Sequence, residues 1–217
     1  MTLQSDVLAA DTLHDVQVRG LQVPGSWLFT PHIHSDPRGI FLEAFTQSSF
    51  QEAVGQALTV KQTNISVSSQ GTIRGIHFAD VPPGQAKYVQ CVEGLILDVV
   101  VDLRVDSPTF AQWEAVNLDS RTRQALYLAE GLGHAFCALS PTATVGYMCS
   151  EPYSPEREHG VHPLDPDLSI DWPEGLELHL SARDAAAPSM AAAVKAGILP
   201  KWDICQDFTA RLAERWC

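Results

Sequence analysis

A chain of 217 residues can bury a core without disulfide or metal staples, and its net charge of −12 repels nucleic acid and anionic membrane surfaces. Its five cysteines are odd in number and no pair has metal-ligand spacing, so Cys91, Cys137 and Cys149, each in an apolar run, read as reduced core residues. No stretch reaches transmembrane length and the start, MTLQSDVLAADTLHD, lacks a basic n-region, so we expect one cytoplasmic domain over residues 1–217 with no membrane or nucleic-acid partner.

Residues 1–24 are polar and without a clear period, which predicts a loose N-terminus. Order is expected from Gly25-Ser26-Trp27-Leu28-Phe29-Thr30. A turn at Asp36-Pro37-Arg38-Gly39 then leads into an apolar strand from Ile40 to Phe45. Ser48 to Val54 suits a short helix stopped by Gly55. Leu58 to Val67 reads as a strand, with Gln62 and Asn64 on one face by the two-residue alternation.

The stretch GTIRGIHFADVPPGQAKYVQCVEG, residues 71–94, places Arg74, His77 and Lys87 within fourteen positions. A histidine can take or give a proton near neutrality, while lysine and arginine can meet an oxyanion or a phosphate. Ile73, Ile76 and Phe78 before Val81-Pro82-Pro83-Gly84, and Tyr88 to Val92 after it, suggest a hairpin. A lone strand histidine is more often a hydrogen-bonded core or rim residue than a catalyst. Arg74 and His77 are three apart and face opposite sides of a regular strand. For both to line one cleft, Gly75 must lie at a bulge or strand end.

Leu95 to Val105 carries the clearest period in the chain. Leu95, Leu97, Val99, Val101, Leu103 and Val105 make one apolar face, and Ile96, Asp98, Val100, Asp102 and Arg104 make a mixed one. If the mixed face points into a barrel mouth, Asp98 can buttress a histidine there; the alternative is a solvated or self-paired charge face. Further strands are expected at Trp113–Leu118, Gln124–Leu128, His134–Leu139 and Thr144–Ser150. Many short strands with no helix between them indicate an all-β antiparallel sandwich or jelly-roll barrel. The last segment, about 185–217, carries helix patterns over Ala185–Ala196 and Asp203–Arg215, expected to pack outside the barrel.

The layout resembles the cupin superfamily, whose metal-binding members place a second histidine two positions after the first. Here that position is Ala79, and His77 with His134 supplies too few ligands, so we expect no metal.

RGIHF followed by PPGQAKYVQCVEG resembles the dTDP-4-dehydrorhamnose 3,5-epimerase family. The resemblance extends to an Arg-Gly turn with Glu five residues after the Arg, matched by Arg38 and Glu43, and to a Gln-x-Asn pair at Gln62 and Asn64. The Arg-Gly-x-His core falls on Arg74 and His77, with the lysine at Lys87. A histidine segment appears at Gly131 to Phe136 around His134, followed by the tyrosine at Tyr147 and an aromatic at Tyr153. A late basic-Asp pair falls on Arg183-Asp184, with Arg where Lys is common. The likeness runs from about residue 25 to about 200, and the tail beyond Leu199 looks more like the deoxysugar epimerases of antibiotic pathways.

The resemblance implies a cofactor-free enzyme that inverts C3, C5 or both in a dTDP-4-keto-6-deoxyhexose. His77 would be the base, held by Asp184, with Tyr147 the acid and Lys87 the cation at the enolate. Arg38, Glu43, Gln62, Asn64, Arg74, His134, Tyr153 and Arg183 would contact substrate. It also implies a homodimer whose N-terminal strands cross to the partner's sheet. A C3-only or C5-only monoepimerase, a metal-dependent cupin and a non-catalytic sugar-nucleotide module are the other readings.

Overall fold

The computed structural model describes residues 16–214, which carry thirteen strands and four helices. In chain order the strands are β1 (Gln17–Gly20), β2 (Ser26–Thr30), β3 (His34–Asp36), β4 (Gly39–Phe41), β5 (Gln62–Ser69), β6 (Ile73–Ala79) and β7 (Lys87–Glu93). They continue with β8 (Leu95–Asp102), β9 (Trp113–Asp119), β10 (Ala125–Leu128), β11 (Leu132–Ala138), β12 (Thr142–Cys149) and β13 (Glu158–Gly160). The helices are α1 (Gln47–Val54), α2 (Ala182–Ala185), α3 (Met190–Ala196) and α4 (Trp202–Glu214). Two antiparallel sheets, ordered β1-β2-β10-β7-β12-β5 and β13-β6-β11-β8-β9, make a cupin-like jelly-roll sandwich, as expected from the sequence.

Three apolar layers hold it. Between the sheets, Val89, Leu126, Leu128 and Val145 of the first meet Ile96, Val100, Leu118 and Phe136 of the second. Outside the second sheet, Leu97, Val99 and Val101 are covered by Leu168 and by Met190, Ala193 and Leu199 of the C-terminal segment. Outside the first, Phe29, Tyr88 and Tyr127 pack under Phe50 of α1. Strand β8 is therefore buried on both faces, and its mixed face is the one turned between the sheets.

Among the described residues no helix is long and apolar enough to cross a membrane. Cys91, Cys137, Cys149 and Cys205 are free and buried. Helix α4 is anchored where the Arg104 guanidinium lies 4.5 Å from the Trp202 ring centroid. Arg104 itself is buried and paired with Asp102 at 2.8 Å, and Asp102 also accepts from Ser107 and Thr109.

Four expectations need correction. Residues 17–20, inside the segment expected to be loose to about residue 24, form β1 and pair with β2; residues 1–15 lie outside the described residues. The predicted strand over 40–45 stops at Phe41, as β3 and β4 form a separate two-stranded ribbon and Phe45 turns back onto Phe50 and Tyr88. Strands β6 and β7 are not a hairpin but belong to opposite sheets. Pro82 and Pro83 lack the N–H groups a ladder needs, and the chain crosses the sandwich there. Finally, the helix expected from Ala185 begins at Met190, because Pro188 disfavours helical backbone before it and Ser189 caps the new start by accepting from the Ala192 N–H.

Candidate active site

The cleft is organised by an irregularity in β6. Its pairing with β11 runs His134 against His77 but Phe136 against Arg74, so three steps on β6 match two on β11. Gly75 occupies the extra position with φ +113°, where a Cβ would stand 2.4 Å from the His134 carbonyl oxygen. Only glycine fits such a backbone at such a distance. The bulge brings Arg74 and His77, which a regular strand would turn apart, to the same cavity of about 400 Å³.

Both sheets supply its walls. Strand β11 contributes His134 and Phe136, β7 contributes Lys87, β12 contributes Tyr147, and Ser181 contributes together with Arg183 and Asp184 of α2. Ser181 caps α2 by accepting from the Asp184 N–H, which fixes where Asp184 stands. Asp184 Oδ1 lies 2.7 Å from His77 Nε2, so with Nε2 protonated the free lone pair of the ring is at Nδ1. Burial alone would raise the Asp184 carboxyl, but hydrogen bonds from His77 and Ser181 and the charge of His77 hold it below the usual carboxylate range.

A second histidine–carboxylate pair faces the same space: His134 Nε2 lies 2.8 Å from Asp98 Oδ1. Asp98 reaches it diagonally across the β8–β11 pairing, from the mixed face of β8. Lys87 is almost fully buried, and desolvation lowers its pKa; Tyr147 is half-buried, and desolvation raises its own. The cleft thus holds an oriented histidine, a protonated phenol and a poorly solvated ammonium, which together suit proton transfer at carbon beside a developing oxyanion.

The sequence-predicted residues divide into three groups. His77, Lys87, Tyr147, Asp184, Arg74, His134 and Arg183 line the cleft. Gln62, Asn64 and Tyr153 stand beside it. Gln62 donates to Asn64 Oδ1 at 2.9 Å and accepts from the Tyr153 backbone N–H, while Asn64 pairs across the strands with Tyr147. The Tyr153 hydroxyl accepts from Arg183 at 3.3 Å, marking the rim.

Arg38 and Glu43 are not brought to the cleft within the chain. Arg38 is exposed and binds Asp36, its neighbour in the ribbon turn, and Glu43 lies in the loop that packs near Phe29 and Tyr88. Sequence reasoning gave no site role to Thr72, Phe136, Ser181 or His179, which also line the cavity. Asp98 was signalled only by the alternation of β8. Among the described residues, no group of three His, Cys, Asp or Glu side chains is placed to hold a metal ion.

Residues 20–192 match the family model described as dTDP-4-dehydrorhamnose 3,5-epimerase. The chain belongs to the dTDP-4-dehydrorhamnose 3,5-epimerase family. It is an isomerase of that type, and its relatives span both regiochemistries. It is 54% identical over 194 residues to a dTDP-4-dehydrorhamnose 3,5-epimerase of Mycolicibacterium smegmatis, covering 89% of this chain and 96% of that one. It is also 54% identical to a dTDP-4-dehydrorhamnose 3-epimerase of Streptomyces niveus, covering 89% and 93%. A 3'-monoepimerase from Streptomyces bikiniensis, solved with dTDP-quinovose, superposes with a TM-score of 0.87 at 48% identity, covering 89% of this epimerase and 98% of that chain.

Proposed function

We propose that the protein inverts C3, C5 or both in a dTDP-4-keto-6-deoxyhexose, with His77 as base, Tyr147 as acid and Lys87 at the enolate. The observation that carries this reading is the His77–Asp184 pair on one wall of a cleft whose other wall presents Tyr147 and Lys87. A C–H beside a ketone is acidic because its electron pair moves onto the carbonyl oxygen. His77 Nδ1 takes that proton, and Asp184 stabilises the imidazolium. The Lys87 ammonium meets the enolate oxygen. As the carbonyl re-forms, Tyr147 delivers its proton to the opposite face of the same carbon, and solvent resets both side chains. Arg74, Arg183 and His134 are assigned to the sugar and diphosphate, and Gln62, Asn64 and Tyr153 to the nucleotide rim.

A monoepimerase is the second reading, favoured by the 3-epimerase relative. We further infer a cytoplasmic enzyme without cofactor or metal. In our reading it is a homodimer in which the β3–β4 ribbon crosses to a second copy, bringing Arg38 and Glu43 to that copy's cleft. Supporting the dimer, Ile40 and Phe41 on the ribbon are 51% and 67% exposed, and Ile65 and Val67 on the edge strand β5 are 77% and 61% exposed.

The test is NMR of dTDP-4-keto-6-deoxyglucose in deuterated water with the enzyme, because each carbon handled by the base exchanges its proton for deuterium. His77→Ala should slow that exchange by roughly 10² to 10⁴, with nucleotide binding retained, and Asp184→Asn should slow it less. Exchange at the wild-type rate in His77→Ala would remove His77 from the mechanism.

A further inference from the structure

Lys87 is the first residue of β7 and its ladder partner Cys149 is the last of β12, so the ammonium is carried at the very end of a strand pair. Among the described residues no hydrogen bond from another side chain holds Lys87 Nζ, so where the ammonium stands depends on where its backbone is held. The chain just before it offers little help, because Pro82 and Pro83 have no N–H to extend the ladder. The hold comes instead from one step beyond the ladder. The Ser150 N–H donates to the Ala86 carbonyl at 3.0 Å, and the Ala86 N–H donates to Ser150 Oγ at 2.8 Å. The Ser150 hydroxyl in turn donates to Glu130 Oε1 at 3.0 Å.

Glu130 is a firm anchor for that chain of bonds. It is buried, and it follows Leu128, the residue of β10 that pairs with Lys87 from the other side. It also packs against the turn before β7, since a Cβ added at Gly84 would stand 2.6 Å from Glu130 Cβ. Burial pushes the Glu130 carboxyl up, and the link to Ser150 needs only an acceptor oxygen, not a charge. We propose that Ser150 and Glu130 are positioning residues for the epimerisation: the Glu130–Ser150–Ala86 chain of hydrogen bonds sets the backbone from which Lys87 reaches the enolate oxygen. The inference rests on Lys87 serving as the cation at the enolate. That oxygen bears its charge only once the C–H proton has left, so a displaced ammonium costs turnover rather than substrate binding.

The experiment follows deuterium exchange into dTDP-4-keto-6-deoxyglucose by full-length variants whose circular dichroism establishes that they are folded. Ser150→Ala should lower kcat by roughly tenfold to a hundredfold with KM changed by less than about twofold. Glu130→Met should do the same, and Glu130→Gln, which keeps an acceptor for the serine, should return kcat to within about threefold of wild type. In a Lys87→Met background, Ser150→Ala should change the residual rate by less than about twofold, because no ammonium is left to place. Wild-type kcat in Ser150→Ala, an effect confined to KM, Glu130→Gln as slow as Glu130→Met, or the same loss with and without Lys87 would each overturn the positioning chain while leaving the role of Lys87 intact. Wild-type exchange in Lys87→Met would instead remove that role, and this inference with it.

Discussion

Gly75→Ala tests whether the bulge in β6 builds the cleft. The new Cβ would stand 2.4 Å from the His134 carbonyl oxygen and 2.8 Å from Ala135 Cα and Cβ, on a backbone with φ +113°. Holding a non-glycine residue in such a region costs about 1–3 kcal/mol, and forcing β6 off β11 to relieve the contact costs a similar amount, so we expect roughly 4 kcal/mol in all. For a domain of this size that lowers Tm by about 8–16 °C. Part of the relief should come from sliding His77 and Arg74 out of register with the other wall, and a misplacement near 1 Å is worth about 10² in rate. Thermal melting and deuterium exchange at the sugar read the two effects separately. Gly146→Ala is the control, since the nearest atom to its added Cβ is Val92 Cγ1 at 3.9 Å and the residue adjoins Tyr147 without facing the cleft. If Gly75→Ala melts within about 2 °C of wild type and exchanges protons at the wild-type rate, the bulge does not set the geometry of the site.

In the proposed mechanism Lys87 acts in its protonated form, and burial lowers its pKa, so kcat/KM should fall as pH rises through that lowered value; Lys87→Arg, which stays charged beyond pH 12, should move the alkaline limb upward. An unmoved limb would assign it to another group. Tyr147 does not compete for that assignment, because burial raises its phenol. Arg104→Met leaves Asp102 buried with only hydroxyl and backbone donors and should cost about 3–5 kcal/mol in chemical denaturation, whereas less than 1 kcal/mol would mean that Ser107 and Thr109 suffice. Light scattering at micromolar concentration should give about twice the 23.7 kDa chain mass, and deleting residues 1–46 should lower solubility and activity together. A fully active monomer would exclude the shared ribbon.

The sequence made the all-β class and most of the cleft legible because both rest on local periodicity and fixed spacing. The alternation of β8 showed a strand with two distinct faces, and the three-residue step from Arg74 to His77 already required an irregularity at Gly75. What escaped depends on partners distant in the chain. Gln17–Gly20 is polar and short, and becomes a strand only because β2 lies beside it. The two prolines after Ala79 look alike in a hairpin turn and in a crossover, and which one they make is decided by what Tyr88 and Ile76 pack against. Asp98 could be placed on a face but not beside His134, since that pairing joins residues 36 apart.

Because β6 and β12 belong to opposite sheets, His77 and Tyr147 are held apart by the thickness of the sandwich itself. Packed sheets settle near 10 Å backbone to backbone, and the two side chains reach inward from either side of that gap. The packing of Val89, Val100, Leu126 and Phe136 thereby acts as a calliper, set by side-chain volume. Trimming a methylene there should register first as a slower turnover at unchanged substrate affinity, so that an interior far from the sugar becomes a means of tuning the reaction.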